Sequence, residues 1–175
     1  MIERLKVVSY KYTPDTASAY TRQKVSNINV TVIGRVFLMR VLQLHCSEFS
    51  YEVKRETPVA EQPPDPKMES LEDVLVCFIC FEKRDESRVD EIVEEFASNL
   101  KVDTSRIGCS RILLYPYAHL SKSLGSARLA KGFLVNLRDR LKDEGIETHK
   151  SPFGWYKAFS LSCIGHPLAE AYREF

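Results

Sequence analysis

The chain has almost no net charge: 25 basic residues stand against 24 acidic ones, a formal +1 over 175 residues. Proteins that grip long nucleic acid without sequence preference carry a strong basic bias. Any nucleic-acid contact here is therefore expected to be local. No run of about 18 apolar residues occurs, so no membrane-spanning helix is expected. The N-terminus lacks the charged-then-apolar layout of a secretory signal. The five cysteines are odd in number and scattered, and three of them lie in apolar, strand-like runs. That pattern fits reduced thiols in the cytoplasm better than a disulfide framework. Also missing are a P-loop, a Rossmann glycine pattern, a Ser-His-Asp order and a paired-carboxylate motif.

What is present fits one domain with a substantial core, since 44% of the residues are hydrophobic. Residues 1–38 read differently from the rest. Tyr12 to Asn27 is polar without a period, and only Ile28 to Val32 alternates like a strand. This stretch reads as an N-terminal extension, either an added edge strand or a loose arm. Met39 opens a cleaner pattern, so a start placed upstream of the true one and a genuine arm both fit.

From Met39 the order is strand, strand, strand, helix, strand, helix, strand. Arg40 to Cys46 and Phe49 to Lys54 read as a hairpin. Glu61 to Pro66, with three prolines, reads as a loop. Val74 to Phe81 is continuously apolar, as in a strand buried on both faces. Val89, Ile92, Val93, Phe96, Ala97 and Leu100 fall at helical spacing behind Ser87, a candidate N-cap. Ile112 to Tyr115 is a strand stopped by Pro116. A second helix is predicted over Ser126 to Glu144, striped by Ala130, Phe133, Leu134, Leu137 and Leu141 and closed by Gly145. The final strand runs from Trp155 to Cys163, and Gly165 to Glu170 reads as a turn. The predicted class is α/β: two helices on an open sheet, with a hairpin layered behind.

Two residues stand out chemically. In the last strand, Trp155, Lys157, Phe159, Leu161 and Cys163 share a face. A lysine among apolar neighbours marks either a cleft or a strand end from which it snorkels to water. His119 follows a strand's C-terminal end, where binding groups collect in α/β sheets, although helix-entry histidines also cap and pack. His45 is undecided, and His166 in Gly-His-Pro reads as turn chemistry. Cys77 and Cys80 form a C-x-x-C within a strand, which puts the thiols on opposite faces and rules out chelation of one metal. The residues alone therefore stop at an α/β domain in which a lysine and a histidine can meet in one pocket.

Three separated segments, Tyr115-Pro116-Tyr117-Ala118-His119-Leu120-Ser121, Pro152 to Phe159 and Gly165 to Glu170, carry a resemblance in their order and spacing. Together with Met39 to Leu42, Tyr51 to Lys54 and Val74 to Val76, they resemble the N-terminal editing domain of archaeal threonyl-tRNA synthetases. The likeness spans Met39 to the C-terminus and leaves residues 1–38 without a counterpart.

The resemblance implies a three-layer α/β/β fold of the D-aminoacyl-tRNA deacylase type. It implies hydrolysis of serine wrongly attached to threonine tRNA, helped by the 2′-hydroxyl of the terminal adenosine. By the same resemblance Lys157 lies close to the scissile ester. His119 and Tyr156 position the aminoacyl group and nucleotide, and Tyr117 and Ala118 lend backbone to the same wall. Glu170 is an acid beside the lysine, and Phe81 stands where a smaller aliphatic is expected. No metal or cofactor is implied. The implied partners are the acceptor end of threonine tRNA and a second copy of the chain. A synthetase body, in cis or as a separate polypeptide, is a further implied partner, so the chain is expected to be an excised domain or a free-standing editor. Two other functions stay open: a D-aminoacyl-tRNA deacylase, and a non-catalytic module that binds the tRNA end.

Overall fold

The computed structural model describes residues 39–175. The expected extension over residues 1–38, with its strand at Ile28 to Val32, lies outside the described residues.

The chain folds as β1 (Arg40–Glu56), β2 (Met68–Cys80), α1 (Val89–Ile107), β3 (Arg111–Pro116), α2 (Ala127–Asp143), β4 (Glu147–Lys150), β5 (Trp155–Cys163) and β6 (Glu170–Glu174). Among the described residues one sheet of six strands has the order β4-β3-β2-β1-β5, and β6 also pairs with β1. β1 and β2 are antiparallel, while β3 runs parallel to both β2 and β4. β6 takes the first part of β1, from Arg40 to Leu44, and β5 takes the rest, from Cys46 to Glu56.

The predicted hairpin over Arg40–Lys54 is instead one 17-residue strand. The apparent turn is a bend. Ser47 and Asp73 face each other at a break in both ladders, between the Cys46–Val74 and Glu48–Glu72 pairs. Asp73 adopts a left-handed φ of 46°, which a short polar side chain tolerates better than most. The β1–β5 register also shifts there. Beyond the bend, Phe49 and Tyr51 join Cys46 in one buried cluster, although strict alternation would put them on the other face.

The bend folds the sheet over itself. Phe78 pairs with Leu42, seven positions along β1 from Phe49. A flat strand would separate those positions by about 23 Å, yet the Phe49 and Phe78 rings lie 6.1 Å apart. Phe159, which pairs with Tyr51, similarly lies 5.7 Å from Phe78. The far half of β1, with β5, is thus the second β layer, continuous with the main sheet.

A histidine chain ties this corner down. The Leu168 N–H donates to His166 Nδ1 at 3.2 Å. With neutral rings, His166 Nε2–H then donates to His45 Nδ1 at 2.8 Å, and His45 Nε2–H to Asp73 at 2.9 Å. His45 Nε2, Asp73 and Cys109 have the spacing of metal ligands, but their polar atoms are already engaged in these bonds and in those of the Cys109 thiol to the Asp73 and Arg111 carbonyls.

The helices cover the opposite face. The predicted stripes of α1 and α2 are buried there against Val41, Leu75, Cys77, Ile79, Ile112 and Leu114. Ser87 does not cap α1. It closes a 3-10 turn, Lys83–Ser87, and Arg88 occupies the N-cap position. Gly145 takes a positive φ of 78° just past α2, as a helix-ending glycine does. Cys77 packs under the helices, whereas Cys80 faces the other way with its Sγ toward the Ala118 carbonyl. All five cysteines are free. The sequence showed no sign of β4 or β6, because both are short and carry charged residues. They exist because β3 and β1 offer them a ladder.

Candidate active site

The fold-over leaves a cleft of about 650 Å³ between the end of β3, the start of α2 and the start of β5. Six of the seven residues singled out from sequence line it: Lys157, His119, Tyr117, Ala118, Tyr156 and Phe81.

Lys157 enters from β5. Its ammonium donates to the Pro152 carbonyl at 2.7 Å and lies 4.7 Å above the centre of the Tyr115 ring. A cation over an aromatic face is attracted by the ring quadrupole, but neither partner carries a charge. Loss of hydration pushes the lysine down to about 8, the nearby Lys150 adds to the effect, and Glu61 opposes it. Lys150 is occupied, with its Nζ 2.5 Å from Glu61 Oε1.

A glycine-dependent clamp holds this end of β5. Gly154 has φ 74°, and a Cβ there would sit 2.7 Å from Ala60 Cα and Val59 O. Its carbonyl accepts from the Thr57 N–H and hydroxyl, and the Glu61 N–H reaches the Phe153 carbonyl. The Trp155 indole donates to the Glu61 carbonyl at 2.9 Å. Only glycine tolerates both this φ and this approach, so Gly154 positions the lysine three residues later.

The opposite wall starts where β3 ends. The Tyr117 N–H donates to the Ile79 carbonyl at 2.8 Å. His119 then falls in the short turn Ala118–Leu120, exposed, with its ring edge-on to Tyr117 at 5.1 Å. Phe81 forms the floor, packed on Phe133 at 5.6 Å. A Cβ on Gly125 would meet the Phe81 ring at 2.7 Å, so the absence of a side chain there makes room for an aromatic where a smaller aliphatic was expected. Tyr156 is exposed at the rim, beneath the Arg55 guanidinium at 4.8 Å.

Glu170 is elsewhere. It pairs with Leu44 in the first part of β1 and does not line this cleft. Among the described residues the carboxylate that acts on the lysine is Glu61. Sequence pattern missed Glu61 because it sits in a proline-rich loop with no period, and it missed Tyr115 because that residue read only as the end of a strand.

Comparisons with known proteins identify the family. A family model described as the archaea-specific editing domain of threonyl-tRNA synthetase matches residues 39–175. The chain belongs to that family. It is 41% identical over 136 residues to a threonine–tRNA ligase of Methanobrevibacter smithii, covering 77% of this chain and 22% of that protein. A threonine–tRNA ligase of Thermococcus kodakarensis is 41% identical over 137 residues, with the same coverage. The chain thus spans about a fifth of the length of the curated relatives it matches. A solved structure titled c-Myc DNA Unwinding Element Binding Protein shares the fold at TM-score 0.51 and 10% identity, over 79% of this chain and 99% of that one. At that identity the likeness concerns fold alone. The editing domain has the D-aminoacyl-tRNA deacylase-like α/β arrangement, and membership of the family supports a tRNA-editing role.

Proposed function

We propose that this domain hydrolyses L-seryl-tRNA(Thr), releasing serine and uncharged tRNA. The need is physical. Serine lacks one methyl of threonine, and a group of that size discriminates by only about 1–3 kcal/mol. A synthetic site built for threonine therefore admits some serine, and a second site restores accuracy.

One observation carries the reading: Lys157 lies in a cleft, partly shielded from water, with no carboxylate in ion-pair contact among the described residues. An ammonium in that state is available to a charge that develops only in the transition state. In the proposed reaction a water oxygen attacks the ester carbonyl carbon. Negative charge grows on the carbonyl oxygen near Lys157, the bond to the ribose 3′-oxygen breaks, and that oxygen leaves with a proton. The adenosine 2′-hydroxyl helps to activate the water. His119 and Tyr156 position the aminoacyl group and nucleotide, with Tyr117 and Ala118 forming the adjoining wall and Phe81 the floor. Aromatic faces in the cleft offer stacking surface for the terminal base.

The deciding assay follows ester loss from Ser-tRNA(Thr), Thr-tRNA(Thr) and a D-aminoacyl-tRNA. Fast loss from the first alone is expected. Loss from the D-ester with no preference for L-serine would make the domain a D-aminoacyl-tRNA deacylase, and no loss from any would leave a binding module.

We also propose a homodimer. β5 ends the sheet with no strand on its outer side among the described residues. It exposes Phe159 at 42% and Leu161 at 39%, an apolar edge of the kind proteins cover. Sedimentation at micromolar concentration is expected to show two copies, and monomer alone would overturn the pairing.

A further inference from the structure

A second cleft, of about 510 Å³, opens on the far side of His119. Its wall is formed by Arg40, Glu82, Arg84, His119, Ser121 and Lys122. His119 also lines the first cleft, so the two meet at one side chain.

The charges in this second cleft are unequal. Glu82 is buried and already engaged: Arg40 Nη1 lies 3.5 Å from Oε1, and the Ser121 hydroxyl bonds the same oxygen. Arg40 is held further by the Leu120 carbonyl at 3.0 Å and by Glu174 at 3.7 Å. Arg84 and Lys122 are exposed, and neither has an ion-pair partner among the described residues. Two uncompensated cations thus flank a depression that continues from the proposed ester site. The nearby start of α2 adds no anion site, because Glu86 takes the Ser126 N–H at 2.7 Å.

We propose that this cleft is the track for the RNA backbone, in which Arg84 and Lys122 neutralise phosphates of the single-stranded acceptor end just before the terminal nucleoside. The inference rests on the deacylase reading. With its aminoacyl ester beside Lys157, the terminal nucleoside must send its 5′-phosphate out of the first cleft. A chain that is nearly neutral as a whole has little long-range attraction for RNA. Two free cations at the exit supply it locally, where register matters.

The test is binding, which needs no hydrolysis. The probe is an uncharged acceptor-stem minihelix with its single-stranded 3′ end, titrated with the full chain at several salt concentrations. Each phosphate contact to a single strand contributes about 0.7 to the slope of log affinity against log salt. The double variant Arg84→Ala/Lys122→Ala is expected to flatten the slope by about 1.4, and Arg84→Lys/Lys122→Arg to keep it. A control pair, Lys101→Ala/Lys142→Ala, removes the same charge from the C-terminal halves of the two helices, outside the cleft lining, and is expected to leave the slope unchanged. Equal flattening by both alanine pairs, flattening by neither, or no salt-dependent binding by the parent chain would overturn the track. A parent chain that binds with the expected slopes yet removes no serine would sink the deacylase reading and leave the track standing.

Discussion

Lys150 and Lys157 stand near one another at the ends of two successive strands, and their surroundings differ. Lys150 closes β4 against a carboxylate, with Glu61 at 2.5 Å and only a tenth of its side chain exposed. Lys157 opens β5 against a carbonyl and a ring. The first is a buried ion pair, in which the desolvation of each charge is offset by the other. The second has only the Coulomb pull of Glu61, which desolvation and Lys150 outweigh. A partly desolvated cation whose neighbours do not neutralise it is the mark of a candidate functional group. The contrast separates a lysine that holds the domain together from one that, on the proposed reading, is held for a substrate.

The largest expected effect comes from removing the second of these. Lys157→Met is expected to lower single-turnover deacylation by about 10²–10³, the scale for losing one preorganised electrostatic contact to a developing oxyanion. An unchanged rate would remove its catalytic role. The same variant is expected to melt higher. The folded value near 8 lies below the ordinary 10.5, so folding disfavours the charged form. That cost is fully present at neutral pH and fades as pH rises from about 8 to 10.5. At about 1.4 kcal/mol per pH unit, and allowing for the lost ring and carbonyl contacts, the gain at pH 7 is about 1–2 kcal/mol. Thermal melts at pH 7 and pH 10 check both the size and the sign.

Next in size is the clamp that places the lysine. Gly154→Ala meets both a positive φ and backbone at 2.7 Å. It is expected to cost about 2–3 kcal/mol of stability and to lower activity in protein that remains folded. Chemical denaturation measures the first and single turnover the second.

Exchanging charge around the two lysines sharpens the comparison further. The ammonium is the working form of Lys157, so the rate, corrected for spontaneous ester loss, is expected to fall as pH rises through about 8. Glu61→Gln removes the carboxylate that raises Lys157 and is expected to move that fall to lower pH. Lys150→Met removes the cation that lowers it and is expected to move the fall to higher pH. Shifts in the same direction for both variants would show that the lysine does not set the profile.

The smallest expected effect lies outside the described residues. Deleting Met1 to Leu38 is expected to leave serine removal almost unchanged, because every residue named at the cleft lies beyond Met39. A Met39-start protein, compared by melting and by serine release, tests this. Lost activity in a folded protein would place part of the site in the extension.

Much of this molecule was legible in the order of its residues. The stripe Ala130, Phe133, Leu134, Leu137 and Leu141 names the buried face of α2, because helical periodicity is a local property that burial only has to accept. The opposite faces of Cys77 and Cys80 followed from the two-residue period of a strand in the same way. The apolar company of Lys157 marked it as unusual. Pattern alone favoured a cleft and left a snorkelling strand end open, since both put the same residues in the same order.

Only the tertiary structure decided between them. Nothing near Ser47 distinguishes a turn between two strands from a bend within one, because that choice depends on whether Asp73, on another strand, bends at the same place. The shared bend folds β5 over the end of β3, sets Lys157 above Tyr115, and brings Glu61 within reach from a loop to which the sequence reading assigned no role. It also leaves Glu170 outside the cleft, paired with Leu44 in the first part of β1. Helix faces and strand faces are written in local periods. Which charge stands beside which is settled by contacts between residues far apart in the chain, and no local period records those.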